Sequence, residues 1–156
     1  MSLEVLTASF DHLSELAPLF DAYRVFYGQA SDVEAARAYL QERFTLGESI
    51  VFIAMLEVGT ETRAVGFTQL YPMFSSVSLR RIWILNDLYV EADVRGQRIG
   101  ERLIERAVQL AKESGANGIQ LETAHTNTSG QKLYERLGFE REDLEYRTYF
   151  FKTHKQ

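Results

Sequence analysis

The spacing of apolar residues changes several times along the chain, and each change marks an element. Residues 3–7 form a short segment that reads as an edge strand. Leu13, Leu16, Phe20, Tyr23 and Tyr27 then recur at intervals of three and four, one face of a helix. Pro18 interrupts that face, so the regular helix is expected to begin near Pro18 or to kink there. Ser31-Asp32 caps a second helix, with Ala35, Ala36, Tyr39, Leu40 and Phe44 on its inner side. Residues 49–57, 64–71 and 82–90 are rich in β-branched and aromatic residues and read as three strands. The near-continuous apolar character of 82–90 suits a central position. Residues 98–114 form the clearest helix, with Ile99, Leu103, Ala107, Leu110 and Ala111 as its buried stripe and Gly115 at its C-terminal stop. A strand at 119–123 follows, then a short helix capped by Asn127 or Thr128 and closed by Gly138. Strands at 139–141 and 145–152 complete the pattern.

The resulting order is β-α-α-β-β-β-α-β-α-β-β. It predicts an α/β fold (α+β by some schemes): a mixed, mostly antiparallel sheet of about six to seven strands with helices on both faces. A chain of 156 residues suits one domain, 1–156.

Composition narrows the chemistry. Seventeen Lys and Arg stand against 22 Asp and Glu, a net charge of -5, which argues against a nucleic-acid partner. No cysteine is present, so disulfides, thiolate metal sites and cysteine nucleophiles drop out. Three scattered histidines without carboxylate spacing predict no metal site. The longest apolar run, residues 50–56, is far short of the roughly 20 residues that span a bilayer, and the first residues lack a leader pattern. The expectation is a cytoplasmic protein with no membrane partner.

One stretch carries more information than the rest. The strand end Leu85-Asn86-Asp87-Leu88-Tyr89-Val90 is followed by Arg95-Gly96-Gln97-Arg98-Ile99-Gly100 and then the long helix. A strand, a glycine turn and a helix N-terminus make an anion site. The first helical N–H groups lack internal partners, and the helix dipole adds partial positive charge. Glycines admit a close ligand, and Arg95 and Arg98 add full charges. The spacing matches neither the dinucleotide G-x-G-x-x-G nor the triphosphate P-loop. On these residues alone, a plain β–α turn with solvated arginines is the competing reading.

The stretch from Leu85 to Phe139 resembles the GNAT N-acetyltransferase superfamily. Arg95-Gly96-Gln97-Arg98-Ile99-Gly100 is similar to its [QR]-x-x-G-x-[GA] acetyl-CoA loop. Asn127-Thr128-Ser129-Gly130-Gln131-Lys132-Leu133-Tyr134, followed by Glu135-Arg136-Leu137-Gly138-Phe139, is similar to its N-x-x-A-x-x-[FL]-Y-x-x-x-G-F signature. Residues 84–90 look most like the polyamine- and histone-acetylating branches. Two departures stand out: Arg98 occupies the usual fourth-position glycine of the loop, and Gly130 replaces alanine. If the loop glycine has positive φ, Arg98 carries strain of about 1–3 kcal/mol.

The resemblance implies transfer of an acetyl group from acetyl-CoA to a primary amine by direct attack in a ternary complex. A small cationic amine such as a polyamine or diamine is the favoured acceptor. A protein lysine, a protein N-terminus, an aminoglycoside and a non-catalytic acyl-CoA-binding module are the alternatives. The cosubstrate would meet Leu88, Tyr89 and Val90 at a strand edge, and Arg95, Gly96, Gln97, Arg98, Ile99, Gly100 and Glu101 at the turn. Asn127 and Tyr134 would complete its site. Tyr134 is implied as the general acid for the CoA thiolate, a phenol with an ordinary pKa of about 10; without the motif it reads as an apolar contact beside Leu133 and Leu137.

Asp87 leads as base, directly or through water, and reads equally as a buried structural carboxylate. Asn86 stands where those branches often carry glutamate, and it cannot take a proton. Strand alternation sets Asn86 and Asp87 on opposite faces unless a bulge intervenes. Glu122 and His125 lie near the end of their strand, with His125 read as a surface-loop residue. Tyr23, Tyr27, Tyr71, Phe74 and Trp83 either line an acceptor pocket or fill the core. The aromatic residues Tyr146, Tyr149, Phe150 and Phe151 suit either a homodimer contact or the monomer core.

Overall fold

A computed structural model describes residues 2–143 and 146–154. The chain divides into two compact units, with the boundary between Glu122 and Thr123.

The first unit is a five-stranded sheet with three helices. Its elements are β1 (Ser2–Thr7), α1 (Leu13–Phe26), α2 (Val33–Thr45), β2 (Ile50–Val58), β3 (Glu61–Ser75), β4 (Arg80–Val90), α3 (Ile99–Glu113) and β5 (Ile119–Gln120). Single 3₁₀ turns at Phe10–His12 and Ala92–Val94 precede α1 and α3. The strands lie in chain order, β1 to β4 antiparallel and β5 parallel to β4. The parallel return requires a crossover, and α3 supplies it.

Alternation along β2 sorts the two faces. Val51 and Ile53 join Leu13, Leu16, Leu19, Phe20, Ala36, Leu40 and Phe67 in the core beneath α1 and α2. Phe52 turns the other way, under the Arg106 guanidinium of α3, 4.5 Å from the ring centre. Ile99, Leu103, Ile104, Ala107 and Ala111 bury the inner stripe of α3, so Ile104 takes the place expected of Leu110.

Two expectations change here. Helix α1 starts at Leu13, five positions ahead of Pro18, which sits inside it. Proline removes one helical N–H, and the buried face of Leu13, Leu16, Leu19 and Phe20 holds the helix through that loss. The predicted strand 119–123 shrinks to Ile119–Gln120, because its ladder with β4 covers only Trp83↔Ile119 and Ile84↔Gln120. A bulge in β4 follows at once: Gln69 pairs with Asp87 and Leu70 with Leu85, which leaves Asn86 as the extra residue. A bulged strand bends and twists more strongly, and a parallel neighbour cannot follow it in register.

The second unit carries α4 (Thr128–Arg136). The expected strand at 139–141 is absent, and among the described residues of 145–152 no strand forms; Glu145 lies outside them. Tyr146, Tyr149, Phe150 and Phe151 are exposed, so these aromatic side chains fill no core. The sheet therefore has five strands among the described residues, not the six to seven expected.

Candidate active site

The turn between β4 and α3 is built from backbone. Gly96 has φ +85° and Arg98 φ +62° with ψ 23°. Arg98 is the residue just before α3 and makes no side-chain cap hydrogen bond. A left-handed residue turns the chain so that Ile99, Gly100 and Glu101 start the helix. Their N–H groups precede the first intrahelical bond, from Arg102 N to Arg98 O at 3.1 Å. An L-residue in this conformation bears roughly 1–2 kcal/mol of strain. The departure seen in the sequence thus falls at a position with the backbone of glycine. A Cβ on Gly96 would meet nothing within 4 Å, and one on Gly100 only Val90 Cγ2 at 3.9 Å. Space above the turn, rather than internal packing, is what these two glycines leave.

The strand edge beside the turn is set by hydrogen-bond parity. Glu91 N donates to Val65 O at 2.8 Å, toward β3. Alternate residues of a strand aim their N–H groups to the same side, so Tyr89 also faces β3, and Leu88 and Val90 face the opposite edge. On the edge away from β3, no strand among the described residues pairs with β4 beyond Ile84. Arg95 Nε donates to Val90 O at 3.0 Å, and its guanidinium lies 5.9 Å from the Tyr89 ring centre. This arginine joins the edge to the turn. Gly66 allows β3 to approach, since a Cβ there would lie 2.8 Å from Tyr89 O.

On the α1/α2 side, polar groups from four elements converge on Asp87. Its side chain is 3% exposed. Gln69 Nε2 donates to Oδ2 at 2.6 Å, and Asn86 Nδ2 donates to Oδ1 at 2.9 Å. Thr68 Oγ1 donates to the backbone O of Asp87 at 2.8 Å. Burial pushes the Asp87 carboxyl above the usual carboxylate range, and donors from Gln69, Asn86 and Tyr23 only partly offset it. Burial and the nearby Asp87 charge raise the Tyr23 phenol. Tyr71 is raised too, first by burial and then by its bond with Tyr39, whose hydroxyl lies 2.7 Å from its own.

Helix placement holds these tyrosines. Asp21 accepts from Ser31 Oγ and Asp32 N, both at 2.7 Å, which ties α1 to the start of α2. Those two donors hold the Asp21 carboxyl below its usual range. Asp32 caps α2 by accepting from Ala35 N. Phe20 stacks between Tyr23 and Tyr39, at 6.3 and 5.6 Å.

Of the aromatics expected near an acceptor, Tyr23, Tyr27 and Tyr71 lie in this cluster, with Tyr27 against Tyr23 at 5.0 Å. Phe74 and Trp83 do not. Phe74 is exposed under Arg81, and Trp83 is buried with Nε1 donating to Ser114 Oγ at 2.9 Å. Tyr39 and Gln69 were missed. The signal for Gln69 was a polar pair, Thr68-Gln69, inside an otherwise apolar buried strand.

The second unit holds Asn127 and Tyr134. Asn127 Oδ1 accepts from Gly130 N at 3.1 Å and so caps α4, while Nδ2 donates to Thr123 Oγ1 at 2.9 Å. A Cβ on residue 130 would press into the Asn127 amide, so glycine there makes room for the cap. The Tyr134 ring meets Phe139 edge-on at 6.2 Å. His125 is exposed in the loop before Asn127.

An open strand edge, a glycine turn and a helix N-terminus form the class of α/β domain that receives an extended, anionic ligand. Comparison with known proteins agrees: the family described as Acetyltransferase (GNAT) family matches residues 16–139. The chain is 44% identical over 138 residues to the uncharacterized N-acetyltransferase YhfO of Bacillus subtilis (strain 168), covering 88% of this chain and 90% of that one. It is 35% identical over 128 residues to a probable acetyltransferase of Haemophilus influenzae, covering 82% and 84%. A crystal structure of a probable acetyltransferase superposes with a TM-score of 0.86 at 40% identity, over 98% of this chain and 99% of that one. The chain belongs to the GNAT acetyltransferase family and is an N-acetyltransferase. Among the described residues, no helix is long and apolar enough to cross a membrane.

Proposed function

We propose that the protein transfers the acetyl group of acetyl-CoA to a small primary amine, with a diamine or polyamine as the favoured acceptor. The observation that carries this reading is the open edge at Leu88 and Val90 running directly into the turn at 95–101. Acetyl-CoA supplies an activated thioester. The N–H groups of Ile99 and Gly100 at the start of α3, with the Arg95 and Arg98 charges, suit its diphosphate. Leu88 and Val90 offer edge N–H and C=O groups to its amide-bearing arm, as to an added strand. The Val90 N–H suits the thioester oxygen as that atom gains charge, a contact worth about 3–4 kcal/mol in related chemistry.

Asp87 would take the proton that an ammonium must lose before its nitrogen attacks the carbonyl carbon. The carbon–sulfur bond then breaks, and Tyr134 would give its phenolic proton to the departing thiolate. Tyr134 is assigned by its place in the family signature, and the family match through residue 139 supports one catalytic domain.

The test is an amine panel with acetyl-CoA, read by free thiol release, containing putrescine, spermidine, lysine analogues and a basic peptide. Turnover of the small amines above the peptide is expected. Thermal stabilisation by CoA without turnover of any amine would leave a binding module instead. Tyr134→Phe is expected to lower kcat about 10²-fold with CoA affinity kept, and unchanged turnover would remove Tyr134 from the mechanism.

A further inference from the structure

Gln69 stands opposite Asp87 in the β3–β4 register and is fully buried. Its amide cannot be turned freely. Nε2 donates to Asp87 Oδ2 at 2.6 Å, and an ionised carboxylate has no proton to give to Oε1. Oε1 is therefore held as an acceptor, and no donor among the described residues reaches it. The other donors nearby are already placed: Asn86 Nδ2 on Asp87 Oδ1 at 2.9 Å, and the Tyr23 hydroxyl on the Asn86 backbone O at 3.4 Å. The fixed acceptor and the carboxylate thus lie side by side, and the pair lacks one N–H or O–H donor.

We propose that Gln69 is a positioning residue for the deprotonation step: its Oε1 accepts a hydrogen bond from the donor that passes a proton to Asp87. The donor is the acceptor amine's own N–H or a relay water's O–H. In the first case one proton leaves the ammonium nitrogen and ends on an Asp87 oxygen. In the second the water takes a proton from the ammonium as it gives one to Asp87, so the water is unchanged. Either way the amine and the carboxyl both become neutral. A neutral carboxyl can donate, and the Gln69 amide can then turn and accept through Oε1, with Nε2 left to donate to the neutral amine or the relay water. The inference rests on the acetyl-transfer reading above.

The groups that face Asp87 set the controls. Tyr23 comes from α1, Gln69 and Tyr71 from β3, and Asn86 from β4. Tyr39 and Arg43 of α2 act through Tyr71. None of these except Gln69 is changed in the test.

The variants are Gln69→Met, which keeps length and loses both amide groups, and Gln69→Glu, which keeps an oxygen acceptor and adds a second acid. Rates with acetyl-CoA are measured from pH 5 to 10 on the amine of the panel that turns over fastest. For Gln69→Met the plateau of kcat/KM is expected to fall about 10-fold or more, and its acidic limb to move to higher pH. For Gln69→Glu two carboxyls share a proton, so the limb moves up further while the plateau recovers toward wild type. A raised KM for the amine with kcat kept marks direct contact, and a lowered kcat with KM kept marks the relay water. Acetyl-CoA affinity stays at the wild-type value in both variants. If Gln69→Met does not fold, the shifted limb of Gln69→Glu carries the test. Folded variants with the wild-type pH profile overturn the role of Gln69 alone. A wild-type protein that binds acetyl-CoA and turns over no amine overturns the acetyl-transfer reading, and this role with it.

Discussion

The turn at 95–101 and the cluster around Asp87 sit on either side of the same strand end, and they are made in opposite ways. The turn is contiguous in sequence, and the groups it would offer a ligand are backbone N–H groups shaped by Gly96 and Arg98. The cluster gathers Tyr23, Tyr39, Gln69, Tyr71, Asn86 and Asp87 from four elements, and its groups are buried side chains. The first tolerates most side-chain changes, because main-chain donors survive substitution. The second depends on each partner, because a buried polar group left unpaired costs about 1–3 kcal/mol.

Substitutions can break this contrast, beginning with the largest effect. Asp87→Asn is expected to lower kcat by about 10²–10⁴-fold while acetyl-CoA affinity stays constant, measured by steady-state kinetics beside calorimetry. Loss of affinity to the same degree would merge the two regions into one. The same residue governs two pH dependences. If Asp87 is the proposed base, activity needs its ionised carboxylate, so kcat/KM is expected to rise with pH along a limb above the ordinary carboxylate range, in keeping with the raised Asp87.

Stability runs the other way. A carboxyl raised by folding favours its protonated form in the native state, so its contribution is full below the unfolded value of about 3.9 and is lost as pH rises through the folded value. Asp87→Asn is therefore expected to raise the melting temperature at pH 7, with the gain vanishing in acid. Calorimetric scans at pH 3.5 and 7 check this, and a fall at pH 7 would contradict it.

Gly100→Ala probes the turn. The added methyl meets only Val90 Cγ2 at 3.9 Å, so the melting temperature is expected to hold or rise slightly. Acetyl-CoA affinity is expected to fall about tenfold, roughly 1.4 kcal/mol, because the methyl occupies the approach to the backbone. Equal affinity would place the ligand elsewhere. The smallest effect belongs to Arg98→Gly. Relief of about 1–2 kcal/mol of strain is partly offset by about 0.5–1 kcal/mol of unfolded-state entropy. The melting temperature should rise by about 1–4 °C. Loss of the charge should weaken acetyl-CoA by a few-fold, an effect that added salt reduces.

The same contrast decides what could be read from the chain. The turn was legible because its signal is local: glycine spacing, flanking arginines and a strong helical stripe from Ile99 to Ala111 all fall within a few residues. Helix α3 was expected at 98–114 and runs Ile99–Glu113. The cluster was only half legible. Asp87 was visible as an acid in an apolar strand, and alternation set it opposite Asn86. The bulge at Asn86 changes that relation, so both side chains serve one carboxylate, and a one-residue insertion in a ladder has no sequence mark of its own. Gln69 and Tyr39 act through pairings across strands and helices, which periodicity does not report. Among the described residues the last strands fail for a related reason: an aromatic-rich run such as 146–152 states a preference, and a ladder also needs a partner strand.

The most direct test of the account is a crystal structure with CoA bound. The diphosphate is expected within hydrogen-bond distance of the N–H groups of Ile99 and Gly100, and the amide-bearing arm alongside Leu88 and Val90. Density for the coenzyme at another surface, or none at saturating concentration, would contradict it.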